Sequence, residues 1–580
     1  MGFLKNFFAS CLGAMVAMVM VILFGALIFS AAVSSESKVV VDDNTVLYLD
    51  LDVPIVEQAV DDPLNDLIPG GQQAIGLLQL KEAIAHAKTD TRIAGIYLSS
   101  SYLNTGIATA AEIRESLLDF RESGKWVIAY ATTYSEGSYF LASAADKVYL
   151  NPAGQLEFNG LSAEVMFYKR LFDKLEIKPQ VFRVGDFKSA VEPFFRENLS
   201  DENRLQLNSI ISGVYAAMLD NIADARHIPK AQLVELSNKM TIRTAAEAVS
   251  YGLVDSLYYD DQVRDEMRGR LGLAKDEDIK MVRYKAYHKS YELPSSANEI
   301  AVIVADGEIM PGKSDKGIIG SATMIKEIRK ARTSRRVKAI VLRVNSPGGV
   351  YQAGDEMWRE LVLAAEEKPV IASMSDYAAS GGYYLAMACD TIVAQPVTIT
   401  GSIGVFSVLF DLSQFLGNKI GITTEAVKTG EVGELITVTR PLTDLEKSIW
   451  QSQTDEVYDI FTRKAAEGRN MSQEAIKQVA SGRVWTGSQA KDNGLVDVLG
   501  NFNDAVRLAA DRGGVSDDFR LRYYPQPKGF LEQLTSSWDE QVKSLFENGS
   551  GETYRLYMQW EKIRRYEGSQ TRMPFELEIR

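Results

Sequence analysis

A serine, a lysine and two glycine-rich turns are the residues of this chain whose types and settings could do chemistry. Ser402 stands in Thr400-Gly401-Ser402-Ile403-Gly404-Val405, where the glycines permit a tight turn and close approach of another backbone. The apolar run behind it, Phe406-Ser407-Val408-Leu409-Phe410, reads as a buried helix. A serine at a helix N-terminus has free amides beside it, which favour a developing negative charge. The same position also suits an ordinary N-cap. Asn345-Ser346-Pro347-Gly348-Gly349-Val350 follows a strand and precedes a helix, and adjacent glycines there can aim N–H groups into a cleft, as an oxyanion hole requires. Ser380-Gly381-Gly382-Tyr383-Tyr384 is a small-residue turn entering a helix, suited to a groove wall or to tight packing. Lys188 lies among Phe187, Val191, Phe194 and Phe195. A lysine acts as a general base only when neutral, and an apolar setting disfavours its charged form. Most lysines with apolar neighbours simply extend past them to solvent.

An internal repeat gives these residues their meaning. Arg92-Ile93-Ala94-Gly95-Ile96 falls on Arg336-Val337-Lys338-Ala339-Ile340, and Gly137-Ser138-Tyr139-Phe140-Leu141-Ala142 on Gly381-Gly382-Tyr383-Tyr384-Leu385-Ala386. In the same alignment Asp146 meets Asp390, Pro152 meets Pro396 and Gly160 meets Gly404. Ser402 then falls on Phe158 and, after a one-residue gap, Lys188 on Gly433. Each half thus lacks the reactive residue that the other holds. The counterpart of the Gly-Gly turn, Ser101-Tyr102-Leu103-Asn104-Thr105, has no glycine pair, which weighs for a functional turn in the second half.

The elements that must position these residues alternate β-branched runs with helical patterns. Val46–Leu51 and Ile300–Val304 open the two halves, and Ala339–Val344, a helix near 353–366 and Val370–Ser373 continue the second. This alternation means βαβ units and a parallel sheet in each half. The uncharged run from Cys11 to Val33 is long enough to span a bilayer. A cleaved signal peptide ending near Ser30-Ala31-Ala32 is the other reading. Lys5 ahead of the run favours an N-terminus inside and a body outside. The organisation read from the sequence is a cytoplasmic 1–10, an anchor 11–33 contacting lipid, a tether 34–45, domains 46–286 and 299–520 joined by a linker 287–298, and a helical tail 521–580.

Composition narrows the chemistry. A net charge of −14 argues against nucleic-acid binding. Cys11 and Cys389 sit in apolar surroundings that do not suggest a disulfide. No His/Cys metal spacing and no phosphate loop are present, so neither metal nor cofactor is expected. The three histidines, His86, His227 and His288, lack glycine-rich or strand-end settings, which leaves little room for a Ser/His/Asp triad.

Taken together, Asn345-Ser346-Pro347-Gly348-Gly349, Ser380-Gly381-Gly382-Tyr383-Tyr384, Thr400-Gly401-Ser402-Ile403-Gly404 and Gly185-Asp186-Phe187-Lys188-Ser189 resemble the signal peptide peptidase A (protease IV) family in its long, tandem-domain form. The likeness runs from about Val46 to Arg512. The resemblance implies two tandem ClpP/crotonase-like spiral domains of ββα repeats after one transmembrane helix. It implies a membrane-anchored serine endopeptidase with Ser402 as nucleophile and Lys188 as general base and acid. It further implies an oxyanion hole at Gly348 and Gly349, with Ser380, Gly381, Gly401 and Ile403 along the substrate groove. The implied partners are extended apolar peptides such as signal-peptide remnants, and the implied assembly is a homotetramer facing the periplasm from the bacterial inner membrane. Thr424 or Thr429 is the candidate for orienting Lys188, and Lys428 is offset from the base position. Two other classes share parts of this pattern: a crotonase-type acyl-thioester enzyme and a non-catalytic membrane scaffold.

Overall fold

The computed structural model describes residues 39–59, 74–293, 295–526 and 568–573, with a few positions between 13 and 20. The expected anchor 11–33 and the expected helix near 530–545 lie essentially outside the described residues. Among the described residues no helix is long and apolar enough to cross a membrane.

The repeat becomes two parallel sheets with one strand order. The first runs Ser256–Leu257, Lys147–Leu156, Trp126–Tyr134, Ile93–Ser99, Thr45–Asp50, Met281–Arg283. The second runs Val498–Leu499, Thr391–Ala394, Val370–Ala379, Val337–Ser346, Glu299–Asp306, Arg520–Tyr524. Its long strand Val370–Ala379 also pairs, at its far end, with Ile399–Gly401, which Val484–Thr486 joins antiparallel. The strands read as unbroken apolar runs because both faces are covered. Ala301, Ile303 and Ala305 face one core with the helices Ser321–Thr333 and Tyr351–Ala365. Ile300, Val302 and Val304 face the opposite one, under the helix Phe502–Arg512.

A third sheet joins the halves. Its order is Ile318–Gly320, Glu308–Met310, Gly348–Val350, Gly568–Arg572, Val405–Asp411, Lys178–Val184. The last pair is antiparallel from Val405↔Val184 to Asp411↔Lys178, so a first-half strand completes a second-half edge. Two expectations change here. Residues 405–411 form a strand rather than a helix, with all seven residues buried. A short apolar run without polar punctuation has no period to tell the two apart. Of the tail, read as helical over 521–580, the described residues instead continue the second sheet to Tyr524 and contribute the strand Gly568–Arg572, and the rest lies outside the described residues.

A buried ion network also ties the halves together. Arg343, fully buried, donates to Glu57 at 2.9 and 3.1 Å and to Glu112 at 2.7 Å, and Glu112 also accepts from Lys81. Nearby, the Thr109 amide and hydroxyl donate to Asp376 at 2.9 and 2.6 Å. Charges removed from water must be paired, and losing one partner of such a set costs about 3–5 kcal/mol.

Candidate active site

The lysine arrives by a built path. Lys178–Val184 ends at Gly185, whose φ of +104° turns the chain; a Cβ there would lie 2.3 Å from the Ser481 carbonyl oxygen. The Phe187 amide donates to Ser481 O at 3.0 Å, and the Gln206 side chain donates to Phe187 O at 3.0 Å. Lys188 then runs between two second-half glycines. A Cβ on Gly482 would be 2.6 Å from Lys188 Cβ, and one on Gly404 would be 3.1 Å from Lys188 Cδ. Those glycines exist in this form because any side chain would fill the channel.

At its end, Lys188 Nζ lies 2.8 Å from Ser380 Oγ, 2.9 Å from Ser402 Oγ and 3.0 Å from Ser402 O. Lys188, Ser380 and Ser402 are all fully buried. Burial alone drives the lysine well below its ordinary value of 10.5. A neutral amine has two N–H bonds and one lone pair. One N–H serves the Ser402 carbonyl, leaving one donor and one acceptor for two hydroxyls. One serine can therefore give its proton toward nitrogen while the other receives one.

The two serines differ in backbone setting. Ser380 sits between the strand Val370–Ala379 and the helix Gly381–Ala386 at φ 56°, ψ −110°, a conformation that L-residues rarely hold. Its amide donates to Gly401 O at 2.8 Å. Gly348, at φ +104°, presses against the amide that follows: a Cβ on Gly348 would be 2.8 Å from Gly381 N. The Gly381 amide thus lies against the Gly348 turn next to Ser380, while the Gly348 amide itself donates to Ser346 Oγ at 3.2 Å. Ser402 has φ 52° and is tied back by its amide to Arg483 O at 2.7 Å, and Gly482 N donates to Ile403 O at 2.8 Å. Its neighbourhood is taken up by Lys188 and the Gly482 turn.

The remaining sequence candidates are placed as follows. Gly349 lies in the third sheet between Ile309 and Thr571, where a Cβ would be 2.1 Å from Ile309 O. Gly401 backs Ser380 and lies against Trp485. Ile403 is packed inside the second core rather than along a groove. Thr424 and Thr429 are exposed, so neither orients the lysine; Ser402 makes those contacts instead. Lys428 is on the surface near Glu434, 3.4 Å away. His86 stacks on Tyr291, His288 meets Glu82 at 3.1 Å, and His227 ends the helix Asp201–Arg226. The alignment that singled out Ser402 also sets Ser380 opposite Glu136, a signal that was available in the sequence. Among the described residues no cluster of His, Cys, Asp and Glu could hold a metal.

Comparison with known proteins agrees with this organisation. The model of peptidase family S49 matches residues 119–274 and 363–516. The chloroplastic serine protease SPPA of Arabidopsis thaliana is 37% identical over 452 residues, 76% of this chain and 66% of that protein. Protease 4 of Salmonella typhi is 36% identical over 484 residues, 82% of this chain and 78% of that protein. Protease 4 of Haemophilus influenzae is 34% identical over 443 residues, 74% and 71% of the two chains. A solved ClpP1 variant from Listeria monocytogenes aligns with 35% of this chain and 94% of its own at 16% identity, with a TM-score of 0.23, too low to bear on the fold.

Proposed function

The chain belongs to peptidase family S49 and is a serine protease; within that frame we propose that it cuts peptide bonds with Ser380 as nucleophile, Lys188 as general base and Ser402 as the hydroxyl that orients the lysine. The observation that carries this assignment is the Ser380 backbone, held at φ 56°, ψ −110° at a strand-to-helix turn where Gly348 packs against the Gly381 amide. Such a turn projects a hydroxyl out of a sheet and sets donors where an oxyanion forms. The sequence reading put the nucleophile at Ser402. That second reading is supported by the 2.9 Å contact to Lys188, but the Ser402 amide is tied to Arg483 O at 2.7 Å rather than set at a strand-to-helix turn.

The chemistry follows from the groups present. Neutral Lys188 takes the Ser380 proton as Oγ bonds to the peptide carbonyl carbon. The Gly381 N–H holds the oxyanion, joined by the Gly348 N–H once that group turns from Ser346 Oγ. The ammonium then returns its proton to the departing amine, which leaves an acyl-serine. Water, deprotonated by Lys188, releases the acyl group and restores the hydroxyl. A base whose value burial has lowered is neutral at a pH where a surface lysine is charged.

Labelling with a fluorophosphonate, followed by mapping of the modified peptide, tests the assignment. Label on Ser380, lost in Ser380→Ala and Lys188→Ala and slowed in Ser402→Ala, is the expected result. Label on Ser402 would reverse the two serines. Label retained in Lys188→Ala would remove the lysine from the mechanism.

Several properties follow as parts of the same proposal. Substrates are extended peptides, including signal-peptide remnants, because strand edges border the site. Residues 11–33 anchor the protein to the inner membrane, with the body in the periplasm. The assembly is a homotetramer with head-to-tail contacts. Its support is that Ile420, Ile422, Val427 and Ile436 are exposed on the second-half segment whose first-half counterpart is docked on a partner half. A repeated surface of this kind finds its partner on another copy. Each half adopts the ClpP/crotonase-like spiral, to be checked by an experimental structure.

A further inference from the structure

The site is already crossed by a segment from the far end of the chain. Gly568–Arg572 runs antiparallel to Gly348–Val350, with Gly348↔Arg572, Gly349↔Thr571 and Val350↔Gln570. On its other side it runs antiparallel to Val405–Asp411, through Phe406↔Gln570 and Ser407↔Ser569. The Met573 amide donates to Pro347 O at 2.6 Å, and Thr571 Oγ1 donates to Gly349 O at 3.1 Å. The Thr571 carbonyl lies over the catalytic corner: a Cβ on Gly348 would be 2.0 Å from that oxygen, and one on Gly381 would be 3.0 Å from it.

Side chains secure the segment as well. Arg572 donates to Glu308 at 2.9 and 3.4 Å, and both are buried. A buried guanidinium requires such a partner, so Glu308 selects a cation at this place in the strand. Met573, 4% exposed, belongs to the apolar cluster that includes Ala379, Val397, Ile399 and Val484. Backbone pairing on two edges plus alternate side-chain pockets is how a groove recognises an extended peptide.

We propose that residues 568–573 are a built-in pseudo-substrate, which fills the peptide groove of this protease and inhibits it until displaced, with Glu308 reading the arginine. This rests on the Ser380–Lys188 reading. A second peptide cannot pair with Gly348–Val350 while the tail does. The same contacts state a preference: peptides that place a basic side chain opposite Glu308, next to an apolar one, replace the tail best.

The test compares the full chain, a chain ending at Glu567, and full-length Arg572→Glu, each checked by intact mass. The readouts are the rate of fluorophosphonate labelling at Ser380 and inhibition of peptide hydrolysis by synthetic Gly-Ser-Gln-Thr-Arg-Met. A tail that holds the groove nine-tenths of the time slows labelling ~10-fold. Both altered chains are therefore expected to label ~10-fold faster than the full chain. The peptide is expected to inhibit the shortened chain, and to inhibit it less when Glu308→Gln is added. Equal labelling rates in all three chains overturn the proposal. So does a full chain that has cut itself within 568–573, which would make the tail a substrate rather than an inhibitor. No labelling of Ser380 even in the shortened chain would instead overturn the dyad reading.

Discussion

The corner around Ser380 and its counterpart around Glu136 occupy the same place in two copies of one fold, and they do opposite things. In the second half the strand-to-helix turn presents a strained serine, a glycine pair and a lysine reaching in from the other half. In the first half the turn presents Glu136, whose carboxylate accepts from the amides of Asn159 and Gly160 at 3.2 and 2.8 Å and from the Tyr215 hydroxyl at 2.8 Å. Burial raises its pKa, and the donors around it counter that effect. Phe158, in place of Ser402, is fully buried and meets the Tyr139 ring edge-on at 6.1 Å. The counterpart of the proposed nucleophile braces a loop. The base arms diverge likewise: Gly185–Lys188 threads into the opposite half, while 430–433 lies mostly exposed. Backbone symmetry therefore sets where chemistry can occur, and a few side chains decide whether it does.

That contrast can be broken most severely at Ser380. Replacing it with alanine should lower peptide hydrolysis on the order of 10⁴-fold or more, as loss of an activated nucleophile does elsewhere. Ser402→Ala should cost only ~10–100-fold, because it loosens the lysine without removing the reacting atom. Steady-state rates on a quenched peptide separate the two, and equal losses would undo the division of roles.

The next largest effect lies between the halves. Arg343→Met strands Glu57, leaves Glu112 with Lys81 alone, and should destabilise the protein by about 3–5 kcal/mol, read by urea unfolding. An unchanged midpoint would mean that the shared strand pairing and apolar packing hold the halves without this ion network.

A smaller effect distinguishes the buried lysine from an exposed one. Unfolded, Lys188 binds a proton below about pH 10.5; folded, it binds one only at a much lower pH. Between those values the unfolded state holds the extra proton, so stability rises with pH. Wild type should gain up to ~1.4 kcal/mol per pH unit relative to Lys188→Met across that window. Parallel stability–pH curves would show that Lys188 stays charged when folded. The smallest effect is expected from building serines into the silent half: Glu136→Ser with Phe158→Ser should yield no second labelling site, because no lysine reaches there.

Much of this was legible before any coordinates. The repeat gave two parallel sheets, since strand runs such as Ala339–Val344 and Val370–Ser373 are apolar on both faces. Lys188 and the glycine turn at 348 stood out because their counterparts differ. The alignment marks both Ser380 and Ser402, opposite Glu136 and Phe158, and gives no ground for choosing between them, because both stand beside glycines. The strand 405–411 was misread because burial on every side erases periodicity. The strand at 568–572 has no local signature, since its pairing depends on two edges more than 150 residues away in sequence.

The lysine channel has a consequence in time. A chain is made from its N-terminus, so Lys188 exists before either serine, and Gly482, which closes its channel, comes later still. At about 5–20 residues per second, the wait is on the order of tens of seconds. During that interval the emerging polypeptide has the proposed base without the proposed nucleophile, then the serine without a seated lysine. On that proposal a fragment that stops before the second half has a base and no serine to act on. With the proposed dyad divided between the halves, cutting requires both halves to be made and docked as far as Gly482.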